Sequence, residues 1–232
     1  SRDLSMLPGR GDGTFDAAQT VSLFGLGSSR ATPEALVLGD FDGDGIIDAV
    51  VRISNPTATE VSPWGKVLRG KGDGTFRPPL DVGAMTRATS HGSTLIAGDF
   101  DGDGKLDLLG SLGESGLWFM KGNGDSTFQP LLRSGVFGEA VQAADLDRDG
   151  HLDVVGIVRS TTFINGGVTF INGIGVNRGL GDGTFQTLEV GKVVPATAGL
   201  RSLAVGDLNR DGKLDVTSME QQAVLGFLNA LP

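Results

Sequence analysis

The sequence predicts an all-β chain, a β-propeller of four-stranded antiparallel blades with about four blades present. Three observations carry this. A nine-residue pattern, D-x-[DN]-x-D-G-x-x-D, occurs four times, at 40–48, 99–107, 145–153 and 207–215. A second pattern, G-x-G-D-[GS]-T-F, also occurs four times, at 9–15, 70–76, 122–128 and 179–185. The two alternate strictly along the 232 residues, and two motifs interleaved in fixed order are the mark of a repeat array.

Each element of a blade follows from local pattern. Short apolar runs rich in Val, Ile and Leu precede the Asp loops at 35–38, 94–97, 141–144 and 203–205. Others follow them at 49–53, 108–112, 154–158 and 216–219. Runs of this length, bounded by Gly and Asp, read as strands. A third strand leads into the Gly motif, as at 117–120 or 224–228, and a fourth follows Phe15, Phe76, Phe128 and Phe185. Pro78, Pro79 and Pro130 suit that fourth strand as an edge, because proline donates nothing to a ladder. The repeats are then 1–34 (partial), 35–93, 94–140, 141–201 and 202–232 (partial), in one propeller domain or propeller segment spanning 1–232. A four-bladed ring closed by the N-terminal strands, or part of a larger propeller whose open flanks favour homo-oligomers, are the two ways such an array ends.

Composition narrows the function. There is no cysteine, so disulfides and thiolate metal sites are excluded, and only two histidines, His91 and His151, argue against a His-built zinc site. A net charge of −9 disfavours nucleic acid as a partner. No apolar run is long enough to insert into a membrane. The chain starts Ser1-Arg2-Asp3, with no signal peptide.

The acid is concentrated in the Asp loops, which hold fifteen of the 28 acidic residues. Calcium takes six to eight oxygen ligands, and a tight loop turns alternate residues inward. Positions 1, 3 and 5 therefore supply side-chain oxygens, all carboxylates but for the Asn209 amide: Asp40, Asp42 and Asp44; Asp99, Asp101 and Asp103; Asp145, Asp147 and Asp149; Asp207, Asn209 and Asp211. Position 7 offers its main-chain carbonyl, which fits the variety there: Ile46, Lys105, His151 and Lys213. Position 9 closes the shell with Asp48, Asp107, Asp153 and Asp215. Gly45, Gly104, Gly150 and Gly212 make the sharp turn. Four crowded carboxylates would repel one another without a cation, and four Ca²⁺ ions would bring the charge from −9 to about −1. Asn209 makes the last loop the weakest of the four.

The Asp loops resemble the FG-GAP (VCBS) repeats, a family that includes the calcium-binding blades of integrin α-subunit propellers and some propeller lectins. The resemblance implies a propeller, usually of seven blades, with Ca²⁺ in the loop joining strands one and two. It carries over to positions 1, 3, 5, 7 and 9 of each loop. Too few repeats for seven blades, and Asn209, are the departures.

Two further motifs are decoys. Arg10-Gly11-Asp12 spells an integrin-recognition tripeptide, but Gly11 and Asp12 belong to the repeat. The Gly motif lacks the helix N-terminus that a phosphate cradle needs. Strand order puts the calcium loops and Gly turns at one end of each blade. The other end carries the loops at about 54–65, 111–116, 159–172 and 219–223, with connections at 24–34, 83–93, 134–139 and 192–201. Trp64, Arg30, Arg87, His91, Arg159 and Arg201 lie in these segments. The expectation is a secreted or cell-surface recognition or adhesion module with no catalytic residues, binding a glycan or protein on the face opposite the calcium loops. A propeller-fold hydrolase or lyase, and a purely structural scaffold, are the alternatives.

Overall fold

The computed structural model describes residues 3–23, 32–54, 61–86, 94–111, 117–133, 139–164, 167–186, 194–195, 200, 202–220 and 223–227. Among these residues every regular element is a strand, and the sheets hold two, four, four, four and three strands in chain order. The fold is all-β, in small antiparallel sheets of the propeller-blade kind.

Two units are distinguished. The first comprises Ser1–Ser90 and Gly122–Pro130. It contains the pair β1 (Asp3–Met6) and β2 (Gln19–Ser22), and the four-stranded sheet β3 (Thr32–Gly39), β4 (Asp48–Ser54), β5 (Val61–Leu68) and β6 (Leu80–Thr86). Strands in this sheet are hydrogen-bonded in sequence order, each antiparallel to the next. The edge strand β3 alternates between exposed and less exposed residues, whereas Ala49 to Ile53 of β4 are buried without a break. Apart from Arg52 this run is apolar, as a central strand buried on both faces requires. One face of β4 and β5, through Ala49, Val51 and Leu68, packs on Leu4 and Val21 of the two-stranded sheet and on Leu23 just after it. A groove of about 450 Å³ in this unit is lined by apolar residues, among them Leu4, Met6, Leu36, Leu38 and Phe76, and by no titratable group.

The second unit comprises His91–Lys121 and Leu131–Pro232. Its first sheet holds β7 (Leu95–Gly98), β8 (Asp107–Ser111), β9 (Leu117–Met120) and β10 (Leu132–Arg133). The second holds β11 (Glu139–Ala144), β12 (Asp153–Ile164), β13 (Gly167–Asn177) and β14 (Val194–Pro195), and the third β15 (Leu203–Gly206), β16 (Asp215–Glu220) and β17 (Ala223–Phe227). Two apolar layers lie between successive sheets. Leu109, Leu117 and Phe119 meet Val141 and Val154 in one; Val155, Ile157 and Ile174 meet Leu203 and Val216 in the other. Val154 and Val155, neighbours on β12, serve opposite layers, as the period of two dictates. Gly110 is the close approach in β8, where a Cβ would fall 2.2 Å from the Trp118 ring on the paired strand.

Three expectations change. Residues 159–164 and 167–172 are strand rather than loop: β12 and β13 pair residue for residue from Val154 opposite Asn177 to Ile164 opposite Gly167. Enrichment in β-branched and aromatic residues, Thr161-Thr162-Phe163-Ile164 against Val168-Thr169-Phe170-Ile171, explains why the hairpin continues. Trp64 and Arg159 accordingly fall in strands β5 and β12 by backbone. Pro78, Pro79 and Pro130 lie in the irregular stretch before the fourth strand rather than within it. Arg30, Arg87, His91 and Arg201, and residues 228–232, lie outside the described residues.

Candidate metal centres

Each Asp loop joins the first and second strands of its sheet; the Gly turns at 70–76, 122–128 and 179–185 join the third and fourth, at the same end of the sheet, and the one at 9–15 joins β1 to β2. Position 9 holds them together. Asp48 is buried and accepts the Phe41 N–H through Oδ2 at 3.1 Å and the Gly70 N–H through Oδ1 at 2.8 Å. Asp153 does the same with Leu146 N–H and Gly179 N–H, both at 2.9 Å. Asp107 accepts from Phe100 N–H at 3.0 Å, and Asp215 from Leu208 N–H at 2.9 Å. A buried carboxylate needs such donors, and here they tie loop to turn.

Position 1 organises the loop backbone. Asp40 accepts N–H groups of Gly43, Asp44 and Gly45 at 2.8, 3.2 and 2.9 Å. Asp99 takes those of Asp103 and Gly104, Asp145 those of Asp149 and Gly150, and Asp207 those of Arg210 and Gly212. Position 5 accepts the N–H two residues on: Asp44 from Ile46, Asp103 from Lys105, Asp149 from His151 and Asp211 from Lys213, at 2.8–3.0 Å. The turn glycine at position 6 is left-handed in all four loops, with φ from 81° to 90°. Position 4 is left-handed too, and here Arg148 and Arg210 adopt φ 64° and 62° where the first two loops have Gly43 and Gly102.

Carboxylate oxygens from positions 1, 3 and 9 converge in three loops. Asp40, Asp42 and Asp48 have oxygens within 4.8 Å of one another, as do Asp99, Asp101 and Asp107, and Asp145, Asp147 and Asp153. These three clusters could hold metal ions. Position 5 is not part of the convergent sets. The last loop offers Asp207 and Asp215 with Asn209 between them; the Asn209 amide bonds the Asp211 N–H at 2.9 Å and donates to its carboxylate at 3.1 Å. At position 7, Lys105 reaches Asp103 at 3.6 Å, and the exposed His151 ring lies over Gly181.

The donor set fits a hard divalent cation: all oxygen, mostly anionic, on a loop braced by its own N–H groups. In the first loop Asp42 Oδ1 is buried and has no hydrogen-bond partner. Burial, then repulsion from Asp48 and Asp44, pushes the Asp42 carboxyl up from its ordinary range. Burial also raises Asp153. In the second and third loops a side-chain cation supplies positive charge. Lys121 Nζ bonds Asp101 and lies 3.0 Å from Asp103, holding Asp103 below the usual carboxylate range. Arg178 lies 2.6 Å from Asp147 and 3.0 Å from Asp149. Asp149 is lowered first by the His151 N–H and then by Arg178.

The Gly turns contain a further feature. In each, the Thr two residues after the Asp returns its hydroxyl and N–H to that carboxylate: Thr14 to Asp12, Thr75 to Asp73, Thr127 to Asp125 and Thr184 to Asp182. These bonds hold Asp12, Asp73 and Asp182 below their ordinary range. The D-x-T spacing was the signal, since Asp at a turn bonds its own backbone two residues on. Asp12 is thus engaged within its turn, and Arg10 pairs with Asp16 at 2.6 Å. Ser126, where other turns have glycine, keeps the same left-handed geometry at φ 64° and donates its N–H to Phe41 C=O at 2.9 Å. Gly183 donates to Phe100 C=O in the same way at 3.1 Å. The Phe that ends each of these turns stacks edge-on against the same loop residue: Phe128 on Phe41 at 5.7 Å and Phe185 on Phe100 at 5.9 Å.

The family model for FG-GAP-like repeats matches residues 58–110 and 99–156, a stretch that takes in the loops at 99–107 and 145–153. Residues 58–156 are thus similar to FG-GAP-like repeats. No curated protein matches it in sequence. Among solved structures, an Agrocybe aegerita lectin studied for specific recognition of non-reducing terminal N-acetylglucosamine is 19% identical. That alignment has a TM-score of 0.49 and covers 97% of this chain and 71% of the lectin. The V. cholerae biofilm matrix protein Bap1 is 16% identical with a TM-score of 0.45, over 93% of this chain and 34% of its own, so the chain spans about a third of that protein.

Proposed function

We propose that this chain of FG-GAP-like repeats is a calcium-binding, non-catalytic recognition or adhesion module. The observation that carries the reading is the convergence of position 1, 3 and 9 carboxylates in three loops, one of which leaves the buried Asp42 Oδ1 with no donor. Calcium completes that set. In this reading each ion is held by positions 1, 3, 5, 7 and 9: Asp40, Asp42, Asp44, Ile46 and Asp48 in the first loop, with the equivalents in the second and third. The loop at 207–215 is a fourth, weaker site with the neutral Asn209. About four ions bind in all.

The ligand is a glycan or a protein, taken at the end of the sheets away from the Asp loops. Millimolar extracellular calcium suits loops of this kind, so the protein works outside the cell or at its surface. Association between copies is a further part of the reading. Ions that bind only the folded chain stabilise it by mass action. Thermal melting in EDTA and in millimolar CaCl₂ tests the first half, and identical curves would sink it. A glycan array probed in both conditions tests the second: calcium-dependent binding supports a carbohydrate ligand, and no binding to any glycan turns the reading to a protein ligand.

A further inference from the structure

The residue just before the Gly turn is a cation in all three complete repeats: Arg69, Lys121 and Arg178. The fold delivers it to the Asp loop. It follows directly on the third strand, β5, β9 or β13, and in the first and third of these repeats the next residue, Gly70 or Gly179, is bonded through its N–H to the position 9 Asp. Lys121 and Arg178 use this placement to seat their charge on positions 3 and 5. Arg69 does not. Its Nε is buried without a partner, and so is Asp42 Oδ1 in the loop it adjoins.

A calcium ion at positions 1, 3 and 9 requires the position 3 carboxylate. In two loops that carboxylate already holds a positive charge tethered to the same hairpin, and in one its buried Oδ1 has no hydrogen-bond partner. Resting on the calcium reading above, we propose that Lys121 and Arg178 are built-in competitors of the metal at the loops 99–107 and 145–153. The loop at 40–48 then fills first, and the other two fill only as their cations are displaced. The repeat array thereby answers calcium over a graded range rather than at one concentration. A unit charge left a few ångströms from a divalent ion in high dielectric costs roughly tenfold in affinity.

Calorimetric titration of the full chain with CaCl₂, after exhaustive removal of metal, reads this directly. The unsubstituted chain is expected to show one tight site and a weaker class. In the double variant Lys121→Gln with Arg178→Gln, two weaker sites tighten roughly tenfold towards the first. Arg69→Gln leaves the isotherm unchanged, and Lys121→Arg, which keeps the charge, retains the original affinity at its loop. Circular dichroism verifies that each variant is folded. An isotherm of the double variant that superimposes on the original overturns the proposal, as does one that weakens, since the cations would then only brace the loops. No calcium binding by any of these proteins, the unsubstituted chain included, sinks the calcium reading itself.

Discussion

Asp42 shows how a single carboxylate can cost the metal-free protein stability. Burial and the neighbouring carboxylates Asp48 and Asp44 raise its pKa, so the fold holds the neutral form better than the unfolded chain does. That contribution is complete below the ordinary carboxylate range and is lost as pH rises through the raised value, so at pH 7 the ionised group is a net cost. Asp42→Asn is therefore expected to raise the melting temperature in EDTA at pH 7 by roughly 1–3 °C. The same substitution should remove the calcium response of the first loop; a variant that melts lower in EDTA contradicts the argument. Arg52 is the opposite case. It is buried in β4, its one ion-pair partner among the described residues is Glu34 at 3.4 Å, and its Nε and Nη1 have no hydrogen-bond partner there. Glu34 lies exposed on the edge strand β3, but removing it strands the buried guanidinium. Glu34→Ala should lower unfolding stability in urea by roughly 1–3 kcal/mol, with no effect on calcium binding.

At the scale of the hairpin, the close approach of turn to loop has no room for a side chain. A Cβ on Gly179 would lie 2.2 Å from the Leu152 carbonyl oxygen, and one on Gly70 2.4 Å from that of Ile47. Both distances are to backbone, which cannot swing aside. Gly179→Ala is expected to break the bond from its N–H to Asp153, lower the melting temperature and weaken metal binding in that repeat alone. Titration with the first loop intact and the third lost would be the signature; an unchanged isotherm would refute the coupling. The strands and the two motifs were legible because apolar runs and Asp spacing are local. The inner role of position 9 was not: spacing marks Asp48 as a ligand but cannot reveal that the N–H of Gly70, 22 residues away, already occupies one of its oxygens. Nor could spacing show which position 4 residues would accept a left-handed backbone, since Arg148 and Arg210 do so where glycine is favoured. Arg148 also reaches the Gly212 carbonyl of the next Asp loop, a contact 64 residues long in sequence.

For the molecule as a whole, the repeats recognised in sequence are not the pieces into which the fold divides. The segment Gly122–Pro130 belongs by its packing with Ser1–Ser90, although the chain on either side of it belongs to the other unit. Phe128 covers Phe41, and the Ser126 N–H satisfies the Phe41 carbonyl. A polypeptide cut at residue 90, close to the repeat boundary at 93, would lose both and leave an unroofed aromatic ring beside the first Asp loop. Such a piece should bind a hydrophobic dye and melt without a sharp transition, while the full chain melts cooperatively; a sharply melting 1–90 fragment would show the cover to be dispensable. Anyone shortening or grafting this protein must therefore choose termini by which surfaces remain roofed, because here the unit of inheritance and the unit of folding are offset along the chain.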